Sequence, residues 1–114
     1  MTAEKRVRLR GGLAQTATWA TIGDDGSLVV ELYDHSDDAH RWLGNDVAFL
    51  LHLSAADKDR MLARLLLQSQ AMRAPDGDAL LLKLLEERFD DYYAVQQWLN
   101  DQGIPFRKEF EPWA

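Results

Sequence analysis

The order of hydrophobic patterns along the chain predicts an α+β fold: an antiparallel sheet of about four to five strands, with three to four helices packed mainly on one face. Up to Leu53 most apolar residues recur at every second position or in short runs of strand length, and from Ser54 onward they recur at spacings of three and four. Strands followed by helices build a sheet covered on one side, whereas a parallel doubly wound sheet requires strict alternation. The tetrapeptide Gly23-Asp24-Asp25-Gly26, set between two strand-like runs, supplies the turn chemistry of an antiparallel hairpin.

The first strand is read from Lys5 to Arg10, where Val7 and Leu9 alternate with Arg6, Arg8 and Arg10. Gly11-Gly12 permits a turn or bulge after it. Gln15 to Ile22, which contains Trp19, and Leu28 to Tyr33, which puts Leu28, Val30 and Leu32 on one face, complete a three-stranded N-terminal meander. From Ser36 to Gly44 a short helix is expected: Ser36 caps it, Asp37 and Asp38 lie in the first turn where the helix dipole favours carboxylates, and Gly44 closes it. Residues 46–53 are expected to form a central strand, whose apolar run from Val47 to Leu53 is broken only by His52 and suits cover on both faces.

Ser54 is the next N-cap, with Asp57 in the capping-box position, and the helix carries Met61, Leu62, Leu65, Leu66 and Met72 until Pro75 ends it by Arg73 or Ala74. Asp78 is expected to cap a helix bearing Leu80, Leu81, Leu84 and Leu85. The last helix starts near Asp90 or Asp91 and carries Tyr92, Val95, Trp98 and Leu99. Gly103 fits the left-handed residue that follows a helix, with Ile104 folding back on Leu99 and Pro105 forbidding continuation. The tail from Ile104 to Phe110 alternates, and Pro105 confines it to the edge of the sheet.

A chain of 114 residues, 46% of them hydrophobic, suits one domain spanning residues 1–114 and is too apolar for intrinsic disorder. No apolar run approaches the roughly 20 residues that span a bilayer. The absence of cysteine excludes disulfides, thiolate metal sites and cysteine nucleophiles. Met1 to Arg10 lacks the apolar core of a secretory signal, so cytoplasmic residence is expected. The net charge of −6 is uneven: residues 1–23 hold four basic residues against Glu4 alone, and the rest carries nine basic against eighteen acidic residues.

The most polar cluster is Asp34-His35-Ser36-Asp37-Asp38-Ala39-His40, followed by Asn45-Asp46. Imidazole nitrogen and carboxylate oxygen suit a divalent metal, making Asp34, His35, His40 and Asp46 candidate ligands and His35, His40, Asp37 and Asp38 candidate acid–base groups. Their spacing matches no established ligand motif, and strand alternation points Asp34 and His35 to opposite faces, so helix capping by Ser36 and Asp37 is the plainer reading. No cofactor is expected, because neither the dinucleotide fingerprint nor the Walker pattern occurs.

His52 reads as a structural histidine with a hydrogen-bond partner, and none of Ser27, Ser36, Ser54 or Ser69 has the G-x-S-x-G context of a nucleophile. The pairs Glu86-Glu87 and Asp90-Asp91 read as solvated groups at a helix junction. The basic patch Arg6, Arg8 and Arg10 beside Trp19 raises nucleic-acid binding as one alternative, against which the overall acidity argues. Phe106, Phe110 and Trp113 are candidate interface aromatics and favour a homodimer. The function expected first is a non-catalytic protein–protein interaction module of inhibitor, immunity or regulatory type with a basic partner, and a small metal- or ligand-binding enzyme using Asp34 to His40 is the alternative.

Overall fold

The computed structural model describes residues 5–9, 16–34, 47–69 and 77–112. These form β1 (Lys5–Arg8), β2 (Thr16–Ile22), β3 (Leu28–Asp34), β4 (Val47–Leu53), α1 (Ala55–Ser69), α2 (Gly77–Arg88), α3 (Tyr92–Gln102) and β5 (Arg107–Pro112). The five strands make one antiparallel sheet in the order β1-β2-β3-β4-β5. The α+β architecture is therefore the one expected, with β3 rather than β4 in the middle, because β5 returns after three helices to pair outside β4. The expected helix over Ser36 to Gly44 lies outside the described residues.

The β2–β3 turn follows from its glycines. Gly23 and Ser27 close the hairpin through a 2.9 Å bond from Gly23 N–H to Ser27 O, and Gly26 takes φ +83°, the left-handed conformation that ends a three-residue loop. Asp25 rigidifies the loop by accepting from the Ser27 N–H at 3.0 Å and from the Ser27 hydroxyl at 2.6 Å.

One face of the sheet carries Leu9, Ala20, Ile22, Leu28, Val30, Leu32, Leu51 and Leu53, all buried in one cluster with Met61 and Leu65 of α1, Leu81, Leu82, Leu84 and Leu85 of α2, and Tyr92, Val95 and Leu99 of α3. Alternation along the strands puts every second residue there. The helix stripes meet it as their three-and-four spacing requires.

The helix ends are largely as read. Ser54 Oγ accepts from Asp57 N–H at 3.2 Å, and Asp91 caps α3 by accepting from Ala94 N–H at 3.0 Å. Gly103 is left-handed at φ 68°, with Gly103 N–H on Asn100 O and Ile104 N–H on Leu99 O, the two bonds of a Schellman end. Asp78 departs from expectation: it lies inside the first turn of α2, where its carboxylate meets Lys58 Nζ at 2.7 Å and Lys5 Nζ at 3.1 Å instead of capping the helix. The last strand runs from Arg107 and not from Ile104, because Gly103 to Pro105 are used in ending α3 and Pro105 has no N–H to offer a ladder.

One bond across the core has no local signal in sequence. Tyr92 N–H, at the exposed-donor end of α3, is buried and donates to Thr18 Oγ1 of β2 at 3.1 Å. Thr18→Val keeps the shape and removes the acceptor, and is expected to cost about 1–2 kcal/mol in denaturant unfolding. Thr18→Ser, which retains the hydroxyl, should recover most of this; equal costs for the two would show that the bond contributes nothing.

Candidate functional site

The three described helices share the core cluster with one sheet face, and the residues that alternate with it stand on the other face. Two rows run across it. Arg6, Thr21, Val29, His52 and Arg107 stand in register, and next to them Arg8, Trp19, Glu31, Leu50 and Glu109. The Arg6 guanidinium carbon is 4.0 Å from the Trp19 ring centroid and that of Arg8 is 5.9 Å, so the alternation expected in β1 delivers both cations to one indole. Ala48 and Leu50 on this face are buried outside the main cluster, which makes β4 apolar on both sides, as its sequence indicates.

His52 is half-buried and its Nε2 lies 2.7 Å from Glu109 Oε2, a diagonal contact joining β4 to β5. The partner expected for a histidine within an apolar strand is therefore a carboxylate on the neighbouring strand.

At the end of the sheet, His52 and Arg107 turn the outer face into an open cleft of about 460 Å³. The hairpin loop contributes Asp25 and Ser27, the start of α1 contributes Ser54 and Asp57, and Leu53, Pro105 and Phe106 supply apolar lining. Hydrogen bonds from the Ser27 hydroxyl and then the Ser27 N–H hold the Asp25 carboxyl below its usual value of 3.8, so it is ionised at any neutral pH. Asp57 accepts from the Ser54 hydroxyl at 3.1 Å and from Arg60 at 3.3 Å. Arg107 is exposed and makes no ion pair among the described residues.

Each hydroxyl and imidazole of the cleft is turned toward a carboxylate: Ser27 to Asp25, Ser54 to Asp57 and His52 to Glu109. A serine nucleophile needs a base whose pKa lies near the working pH, and Asp25, held below 3.8, is a poor one for Ser27. This arrangement presents two oriented carboxylates, Asp25 and Asp57, together with the exposed Arg107.

Of the residues singled out by sequence, Arg6 and Arg8 converge on Trp19, Phe106 lines the cleft, and Phe110 packs on Phe49 with ring centroids 5.1 Å apart. Asp34 ends β3, whereas Arg10, His35, Asp37, Asp38, His40, Asp46 and Trp113 lie outside the described residues. Among the described residues no group of three or more histidines and carboxylates is placed to hold a metal ion. Sequence reading assigned Asp25, Ser54 and Asp57 to a turn and a cap, which they do form. That those two local structures face each other is a long-range fact with no local signal.

Among the described residues no helix is long and apolar enough to cross a membrane. No protein-family model, curated protein or solved structure matches the chain.

Proposed function

We propose that the protein is a non-catalytic binding module of the cytoplasm, of inhibitor, immunity or regulatory type, that docks a basic segment of a protein partner in the cleft between the hairpin loop and α1. The observation that supports it is the pairing of two carboxylates, Asp25 and Asp57, with the apolar lining of Pro105 and Phe106. A lysine or arginine side chain has the complementary form, an apolar stem that covers hydrophobic surface and a charged head that seeks carboxylate oxygen. Arg60 of α1 reaches Asp57 at 3.3 Å and Lys58 is buried against Asp78, so among the described residues Asp25 is the one of the two carboxylates held by neutral donors alone, the Ser27 hydroxyl and N–H.

The outer face extends this surface with arginine and tryptophan, residue types that dominate interface energies. Glu31 and Glu109 interleave with its arginines, which disfavours a polyphosphate backbone and supports a protein partner over nucleic acid. The exposed C-terminal strand supports association with a second copy of the chain.

The test is titration of the full chain with a lysine- and arginine-rich peptide pool, followed by calorimetry and by amide shifts. Binding is expected to perturb His52 to Asp57 and Pro105 to Arg107 and to weaken steeply between roughly 0.05 and 0.5 M salt. Asp25→Asn, which leaves the α1 cap intact, and the double change with Asp57→Asn are expected to weaken it, the pair by about tenfold. Binding that ignores both substitutions, or the absence of any binding, overturns the reading.

A further inference from the structure

We propose that β5 is a self-complementary edge, pairing antiparallel with β5 of a second copy about a two-fold axis at Lys108. This rests on the reading that the chain self-associates and adds the surface, the register and a consequence for the cleft.

The hydrogen-bonding direction of each strand residue follows from two bonds. Leu9 N–H donates to Thr18 O, so Thr18, Ala20 and Ile22 face β1; Gly23 N–H donates to Ser27 O, so Gly23, Thr21 and Trp19 face β3. The two bonds agree, because neighbouring residues of a strand point their N–H and C=O in opposite directions. Carried through the register, Val30 and Leu32 face β4, and Ala48, Leu50 and His52 face β5. Arg107, Glu109 and Glu111 then face β4. The backbone groups of Lys108 and Phe110 point off the sheet, at the edge where the strand order ends among the described residues.

Such an edge is a template for another strand, and Phe110 beside it is 47% exposed. Two-fold pairing keeps each side chain on its own face only when the axis passes at a residue, which leaves three central registers. An axis at Phe110 sets Glu109 against the partner's Glu111 twice and wastes the position of Pro112, which has no N–H. An axis at Glu109 sets Arg107 against the partner's Glu111 twice, but it also sets Glu109 against the partner's Glu109 in a closely spaced position and Lys108 against the partner's Phe110. An axis at Lys108 sets Arg107 against the partner's Glu109 twice on one face, in the closely spaced non-hydrogen-bonded positions, and Phe106 against the partner's Phe110 twice on the other. Its one unfavourable contact is between the two Lys108 side chains, whose flexible stems let the ammonium groups diverge. Charge excludes the axis at Phe110, and the paired Phe106 and Phe110 rings with the diverging Lys108 stems select the axis at Lys108 over that at Glu109.

The opposite edge, β1, differs: Lys5 is paired with Asp78, and Arg6 and Arg8 are turned to Trp19, with no acidic residue in the strand to answer them in a second copy. The cleft includes Phe106 and Arg107, so in this dimer the partner's Phe110 and the partner's Glu109 stand next to its wall. Each cleft is completed by the second copy.

Sedimentation equilibrium of the full chain and of Arg107→Glu, Glu109→Arg and the double charge swap tests the register. The wild type is expected at twice its 13.0 kDa mass when concentrated. Each single reversal should weaken the dimer by about tenfold or more, and the double swap should restore it to within about threefold. In parallel, amide exchange should show Lys108 and Phe110 gaining protection as concentration rises, with Arg107 and Glu109 protected throughout. A dimer indifferent to the single reversals overturns the register and leaves self-association standing. A monomer at all concentrations overturns both, and species that grow beyond the dimer assign the contact to β1 against β5 and overturn the two-fold pairing.

Discussion

Leu51→Ala is expected to lower the unfolding free energy by about 3 kcal/mol, the largest loss from any single substitution considered for this chain. Leu51 has 0% exposure on the helix-covered face of β4, opposite Val30 of β3. Truncation removes its transfer free energy and leaves a void that a sheet held on both sides by neighbouring strands cannot collapse to fill. In thermal unfolding this corresponds to a drop of roughly 12 °C for a domain of this size. Urea titration should show a lower midpoint with an unchanged slope, since the surface exposed on unfolding is nearly the same. Leu67→Ala is the control: Leu67 is 81% exposed on α1 and its truncation should stay within about 0.5 kcal/mol. A cost below about 1 kcal/mol at Leu51 would mean that the packing between β4 and the helix layer is wrong.

Asp78→Ala is expected to cost about 2 kcal/mol. Lys58 is 6% exposed, and its ammonium group meets Asp78 Oδ1 at 2.7 Å while Lys5 Nζ meets Oδ2 at 3.1 Å, so one carboxylate joins α1, α2 and β1. Removing it strands the Lys58 charge away from water, which for a fully buried pair costs about 3–5 kcal/mol. The figure here is smaller because the Asp78 side chain keeps 25% of its surface exposed. Lys58→Met should cost less than Asp78→Ala, because an apolar side chain fits the buried stem position and Asp78 retains Lys5 and partial solvation.

The pair also sets an acid dependence. The hydrogen bond from Lys58, helped by Lys5, lowers the Asp78 pKa from 3.8, so the carboxylate's contribution is complete above that value and is lost as pH falls through the lower folded-state pKa. The stability gap between wild type and Asp78→Ala should therefore be constant near neutrality and narrow below about pH 4. A gap that stays constant into acid would exclude the ion pair as its source.

Much of the architecture is legible in local chemistry. The glycines at 23 and 26 announce the hairpin, Ser54 and Asp91 the starts of two helices, and Gly103 with Pro105 the end of the last, because each acts within a few residues of itself. The misplacement of Asp78 has the opposite cause. An aspartate followed by leucines reads as a cap, but two lysines distant in sequence claim its carboxylate, and only folding brings them near. The role of Thr18 as acceptor for Tyr92 is hidden for the same reason.

By itself the sequence determined the fold class, the alternation that puts Val7 and Leu9 opposite the arginines of the first strand and Leu28, Val30 and Leu32 on one face of the third, and the exclusion of thiol chemistry. These depend on residue type and on periods of two and of three to four, which are local quantities. The tertiary structure alone decided that the Asp25 loop faces the Asp57 helix start, that Glu109 is the partner of His52, that Arg6 and Arg8 meet Trp19, and that the edge strand β5 pairs with β4. Each of these joins residues distant in sequence, and such pairings are selected by the packing of the whole core.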